Sequence, residues 1–153
     1  MGRILRALVD DATPWAVVSS PLGRAFATAR IVCEAAGLDA PIETDDRLAE
    51  MSLGPLDGLT RDEILAAAPD TRIAPGWIYA IPGGETEDQL RARVAAWLSE
   101  VDEADGRRRL VVSHGITGRM VRHLYAGESL HGAPPPQDSV FRLSGGRIEH
   151  LAD

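Results

Sequence analysis

Leu110-Val111-Val112-Ser113-His114-Gly115 and Val17-Val18-Ser19-Ser20-Pro21-Leu22-Gly23-Arg24-Ala25 decide the fold of this chain. Each begins as a short β-branched apolar run, passes through small polar residues and opens into a helical pattern, which predicts a strand whose carboxyl end becomes a helix start. Two such units predict an α/β domain, a three-layer sandwich with a mostly parallel central sheet flanked by helices. In open sheets of this kind ligands gather outside the carboxyl ends of the strands, where loop and helix amides point. Arg24 and His114 both fall there, and a guanidinium with an imidazole at two helix starts suits a doubly charged phosphoryl group. Gly115, beside Ser113, lets backbone amides approach such a ligand closely.

A length of 153 residues predicts a single domain spanning 1–153. With 44% apolar and 25% charged residues the composition is that of a globular protein and argues against disorder or a collagen-like chain. No run approaches the roughly 20 apolar residues of a membrane span. The start, Met1-Gly2-Arg3-Ile4-Leu5-Arg6-Ala7-Leu8-Val9, has too short an apolar stretch for a signal peptide. Cys33 stands alone, which removes an intramolecular disulfide and points to a reducing cytoplasm. All 16 basic side chains are arginine and the net charge is −7, a balance that disfavours nucleic acid as a partner. Arg107-Arg108-Arg109, the one basic run, reads as the solvated edge of a loop.

The chain divides legibly into elements. A helix is expected over Met1 to Asp10, a strand over Ala16 to Ser19, and a helix from Pro21 or Leu22 to Ala36 with Gly37 as its terminator. Pro41 to Arg47 reads as extended and Leu48 to Leu59 as loop. Thr60 with Glu63 forms a capping box for a helix to Ala68 that Pro69 stops. Asp70 to Gly84 is an irregular excursion of the kind that covers a site, with Trp77 and Tyr79 available to shape specificity. Thr86 with Gln89 caps a helix carrying Leu90, Val94, Trp97, Leu98 and Val101. A strand over Arg109 to Ser113 and a helix from Ile116 to Tyr125, ended by Gly127, follow. Ser139 to Leu143 and Arg147 to Leu151 around Gly145-Gly146 read as a terminal hairpin.

Each candidate site residue has a plainer reading. His114 alone could be a satisfied core histidine, and Arg24 a surface salt-bridge partner. Glu50 could be a solvated loop glutamate; near an anion its proton affinity is raised, as a general acid requires. Glu85 competes for that role, although its place before the Thr86 cap is accounted for by the helix dipole. His123 reads as surface or packing, and His131 and His150 fall in a loop and at the chain end. None of the histidines forms a spaced pair with Cys33, so no metal is expected. A Gly-rich loop followed by Lys-Ser or Lys-Thr and a Gly-x-Ser-x-Gly elbow are both absent from the sequence.

Taken in order, Ser19-Ser20-Pro21-Leu22-Gly23-Arg24-Ala25 with Thr28-Ala29, Arg47-Leu48-Ala49-Glu50 with Gly54 to Gly58, Gly83-Gly84-Glu85-Thr86 and Val112-Ser113-His114-Gly115 resemble the histidine phosphatase superfamily, the phosphoglycerate mutase-like family, over essentially the whole chain. The resemblance implies that Arg24 binds phosphoryl oxygens, that Glu50 protonates the leaving oxygen and that His114 stabilises charge on the transferring group. It also implies a phosphohistidine, whose nucleophile belongs to an Arg-His-Gly motif ending the first strand. These 153 residues contain no Arg-His-Gly. The expectation is an N-terminally incomplete domain that begins within the helix after that strand, lacking roughly 30 to 40 residues of strand, loop and helix start. The first strand would then be absent from the sheet, a gap that exposes ladder groups on two neighbours, so that the sheet closes up, a partner fills it, or the natural protein is longer.

Within the family the preferred reading is a phosphatase of small phosphomonoesters. The resemblance implies that mutases carry a longer insertion between the acid-bearing loop and the final histidine strand than the stretch from Glu50 to His114. Two alternatives stand: a catalytically inactive remnant that binds anions or dimerises, and a phosphoglycerate mutase. The expected partners are a small phosphorylated metabolite or inorganic phosphate, with a homodimer possible in principle, and no cofactor, nucleic acid or membrane.

Overall fold

The side chain of Thr86 accepts from the amide of Gln89 at 3.2 Å while Gln89 reaches back to the amide of Thr86 at 2.9 Å. This closed capping box satisfies two amides that a helix start otherwise leaves unpaired, and it fixes the helix at Glu87–Ser99. The computed structural model describes residues 1–10, 12–67, 76–101, 103–131, 135–136 and 138–151. In chain order the helices are α1 (Gly2–Arg6), α2 (Gly23–Ala36), α3 (Arg61–Ala67), α4 (Glu87–Ser99) and α5 (Gly115–Ala126). The strands are β1 (Trp15–Ser19), β2 (Ile42–Thr44), β3 (Arg108–Val112), β4 (Val140–Ser144) and β5 (Arg147–Leu151).

Most elements fall where the sequence predicts them. α2 and α5 end at Gly37 and Gly127, which take left-handed conformations with φ of 70° and 74°. Thr60 and Glu63 make the second capping box, with the Thr60 amide donating to the carboxylate at 2.7 Å. Its proposed stop at Pro69 and the stretch to residue 75 lie outside the described residues. α1 is shorter than expected. It has no side-chain cap and buries only Leu5, and Asp10 turns the chain by accepting from the amides of Ala12 and Thr13 at 3.0 and 2.8 Å. Within the described part of the excursion, Trp77–Ala80 forms a 3₁₀ turn.

β1 is the centre of a three-stranded sheet of order β2-β1-β3. Both pairings are parallel, with Val17 opposite Ile42 on one side and Leu110 on the other. Side chains alternate across the sheet, and the two faces take different helices. Trp15 and Leu110 pack with Leu5, Val32 and Ala36 of α1 and α2. Val18 and Val111 pack against Val94, Trp97, Met120 and Val121 of α4 and α5, the larger core. The result is a three-layer α/β/α arrangement. β4 and β5 form a separate antiparallel hairpin. No helix among the described residues is long and apolar enough to cross a membrane.

Candidate functional site

The carboxyl ends of β1 and β3 lie side by side because the amide of Ser20 donates to the carbonyl of Val112 at 2.8 Å. Ser20, fully buried, and His114, half-buried, therefore meet across the end of the sheet: Ser20 Oγ lies 2.7 Å from His114 Nε2. Ser113 turns the other way and donates to the carbonyl of Leu48 at 2.8 Å, which draws the loop after β2 over the same crevice. Burial holds the pKa of His114 below its ordinary value; Glu50 pulls in the opposite direction, while the cations of Arg24 and Arg93 add to the lowering. Glu50, Arg24 and Arg93 thus all lie within electrostatic range of one imidazole. Among the described residues the Arg24 guanidinium, exposed on the first turn of α2, has no hydrogen-bond or ion-pair partner.

Glu50 is not a solvated loop glutamate. Its carboxylate accepts from the amides of Met51 and Thr117 at 3.1 Å each and from Ile116 at 3.4 Å, and the Thr117 hydroxyl oxygen lies 3.2 Å from it. Thr117 is itself fully buried and donates to the carbonyl of Ala49 at 2.7 Å. The positive end of α5 thus holds a carboxylate, and the first-turn amides that the sequence offered to a phosphoryl ligand are partly engaged. Gly115 begins α5 beside His114, and beyond its chain neighbours and its own helix backbone nothing lies within 4 Å of the place a Cβ would take. Space for a ligand remains there.

A second layer of charge fixes these loops. Arg93 of α4 donates to both oxygens of Glu85, at 2.6 and 2.8 Å, and to the carbonyl of Arg47 at 2.6 Å. The amide of Glu85 donates in turn to the carbonyl of Ser52 at 2.8 Å. Glu85, the competing carboxylate, is therefore committed to an ion pair, which goes beyond the helix-dipole account of it. Arg47 bridges Asp45 and Glu100, and its guanidinium holds the Asp45 carboxyl below its usual range. Tyr79 packs on the larger core, and burial pushes its phenol up, with Glu87 adding to the rise and Arg119 opposing it. Among the described residues no group of three or more histidines, cysteines or acids is placed to hold a metal ion.

Of the four residues singled out from the sequence, Glu50, His114 and Gly115 meet at the start of α5, and Arg24 acts on His114 through its charge. His123 binds the carbonyl of Glu128 at 2.8 Å and His150 stacks on Phe141, both away from it. Sequence reasoning did not single out Thr117 or Arg93, nor a role for Ser20. A threonine in a first helical turn carries no local signal of a partner 68 positions away, and an arginine in mid-helix none of a carbonyl 46 positions away.

The profile of the Histidine phosphatase superfamily (branch 1) matches residues 2–141. The probable phosphoglycerate mutase GpmB of Salmonella paratyphi B is 38% identical over 112 residues, which is 65% of this chain and 47% of that protein. The chain spans about half the length of the curated relatives it matches. YhfR of Bacillus stearothermophilus superposes with a TM-score of 0.72 at 28% identity, covering 97% of this chain and 77% of its own. A mycobacterial glucosyl-3-phosphoglycerate phosphatase superposes at 0.64 with 30% identity, covering 84% and 64%, and is also known in complex with inorganic phosphate.

Proposed function

The chain belongs to the histidine phosphatase superfamily, branch 1, and on that premise we propose that it is a phosphatase-type member acting on a small phosphomonoester. Arg24 binds the phosphoryl oxygens, His114 donates to the transferring group, Glu50 gives a proton to the leaving oxygen, and Gly115 leaves room for the ester. What supports the reading is the convergence on one imidazole of Glu50 and an unpartnered Arg24, on a crevice at the carboxyl ends of two parallel strands.

In the full reaction an imidazole nitrogen attacks phosphorus, the P–O bond to the alcohol breaks, and the Glu50 proton leaves with the alkoxide oxygen. Water then attacks the phosphohistidine, Glu50 takes its proton, the P–N bond breaks, and inorganic phosphate and free imidazole result. The nucleophilic imidazole belongs to the Arg-His-Gly segment that the family resemblance implies and that these 153 residues do not contain. Catalysis is accordingly proposed for a chain that carries such a segment, and anion binding for these residues alone. The excursion with Trp77 and Tyr79 is proposed to shape the alcohol side of the substrate.

The similarity to GpmB favours a second reading, a phosphoglycerate mutase. The short path from Glu50 to His114 favours the phosphatase. Pairing of two copies through β3, at the edge of the three-stranded sheet, is a third possibility, and a monomer at micromolar concentration in light scattering removes it.

The test uses two arms. Calorimetry should show inorganic phosphate binding to these residues, weakened roughly tenfold or more by Arg24→Ala, the loss of a hydrogen bond to a charged group. A chain bearing an Arg-His-Gly segment should release phosphate from phosphomonoesters, and interconversion of phosphoglycerates without release would assign it as a mutase. No hydrolysis together with an unchanged phosphate affinity in Arg24→Ala would sink the reading.

A further inference from the structure

Ser20 is fully buried, and its hydroxyl has two partners among the described residues: the amide of Leu22, which donates to Oγ at 3.2 Å, and His114 Nε2 at 2.7 Å. A serine hydroxyl carries one proton and can accept at two lone pairs. Leu22 uses a lone pair. The proton therefore has one acceptor within reach, Nε2, and a ring that carried hydrogen there would strand a buried hydroxyl proton with no partner. Nε2 must be the accepting nitrogen and Nδ1 the protonated one. Nδ1 has no protein partner among the described residues, so it is the nitrogen left to a ligand.

We propose that Ser20 is a positioning residue that locks His114 as the neutral Nδ1–H tautomer, so that the ring presents a hydrogen-bond donor, and not a lone pair, to the phosphoryl group. This rests on the phosphoryl-site reading above. The opposite tautomer would set a lone pair against anionic oxygen, which repels it. The same hydroxyl also holds the amide of Leu22, the residue preceding α2, so one buried group braces both His114 and the helix turn that carries Arg24. The charged groups facing the ring are Glu50 from the loop after β2, Arg24 from α2 and Arg93 from α4.

The experiment is nitrogen NMR of isotope-labelled histidine in the full chain, with and without inorganic phosphate, in wild type, Ser20→Ala and Ser20→Cys. In wild type at neutral pH the His114 signals should report a protonated Nδ1 and a bare Nε2; a protonated Nε2 overturns the proposal with no variant needed. Ser20→Ala should populate the other tautomer and weaken phosphate binding about tenfold, the worth of one donor to a charged ligand. Ser20→Cys, a thiol of similar size and weaker donor strength, should fall between. A dispersed amide spectrum identifies folded variants, and an unchanged tautomer in a folded Ser20→Ala refutes the assignment. If wild-type His114 shows the Nδ1–H tautomer and phosphate leaves its signals unmoved, the phosphoryl-site reading fails while the tautomer lock stands.

Discussion

Replacing Arg93 by methionine tests whether the crevice is held by the charge layer beneath it. Arg93 makes two hydrogen bonds to Glu85 and one to the carbonyl of Arg47, all between 2.6 and 2.8 Å. The two side chains are 20% and 16% exposed, so solvent screens the pair only in part. Breaking a fully buried pair by removing one partner costs about 3–5 kcal/mol, because a charge is left without compensation. Partial exposure moves this pair to the lower end, and methionine keeps much of the packing of the arginine stem. The expected loss is about 3 kcal/mol, roughly 6–12 °C in Tm for a domain of this size. Urea denaturation followed by tryptophan fluorescence measures it, with an unchanged m-value showing that the unfolded state is the same. Adding Glu85→Gln removes the stranded charge, so the double variant should be more stable than the sum of the singles by at least about 1 kcal/mol. An Arg93→Met protein within about 0.5 kcal/mol of wild type, or strict additivity in the double variant, would refute the reasoning.

The remaining expectations concern backbone space and protons. Gly54 has a φ of 59°, and a Cβ there would lie 2.3 Å from the carbonyl oxygen of Gly83 and 2.7 Å from the nitrogen of Gly84. Gly54→Ala should therefore cost about 2–4 kcal/mol, left-handed strain plus displacement of backbone. Gly58→Ala, with φ of 84° and nothing within 4 Å, should cost only the strain; equal losses in urea titrations would show that the contact with Gly83 does not constrain the loop. For His114 the folded pKa lies below the ordinary value of 6.5, so between the two values the unfolded chain binds the extra proton and stability rises with pH. The contribution is present in full above about 6.5 and is lost as pH falls through the folded value. His114→Gln should flatten the pH dependence of the urea midpoint in that window, and parallel profiles would mean that the ring is not held neutral. Asp45, lowered by Arg47, acts in a separate window: its stabilisation is complete above the ordinary value of 3.8 and disappears as pH falls through its lower folded value.

How much was legible in the sequence follows from the range of each interaction. The capping boxes at Thr60 and Thr86, the terminators Gly37 and Gly127 and the hairpin around Gly145-Gly146 are settled by residues within four positions of one another, and they stand as read. The same holds for the placing of Arg24 and His114 at strand-to-helix junctions, since an apolar run followed by small polar residues is a local signal. The extent of α1 was misread, because helical periodicity was followed past the point where Asp10 captures two amides.

The order and parallel sense of β2-β1-β3 belong to the tertiary structure, since a strand's own pattern does not name its neighbours. So do the partners of the site residues. Glu50 read as a loop carboxylate until α5, more than sixty positions on, brought its first turn to it. Ser20 was one small residue in a motif until β3 set His114 against it across 94 positions. Glu85 acquired its meaning from Arg93 on the next helix. The sequence determined which chemistries were available at the strand ends and where helices begin. Packing two helical layers on a shared sheet decided which of those groups are desolvated, oriented and paired, because burial and hydrogen-bond geometry are properties of the assembled layers.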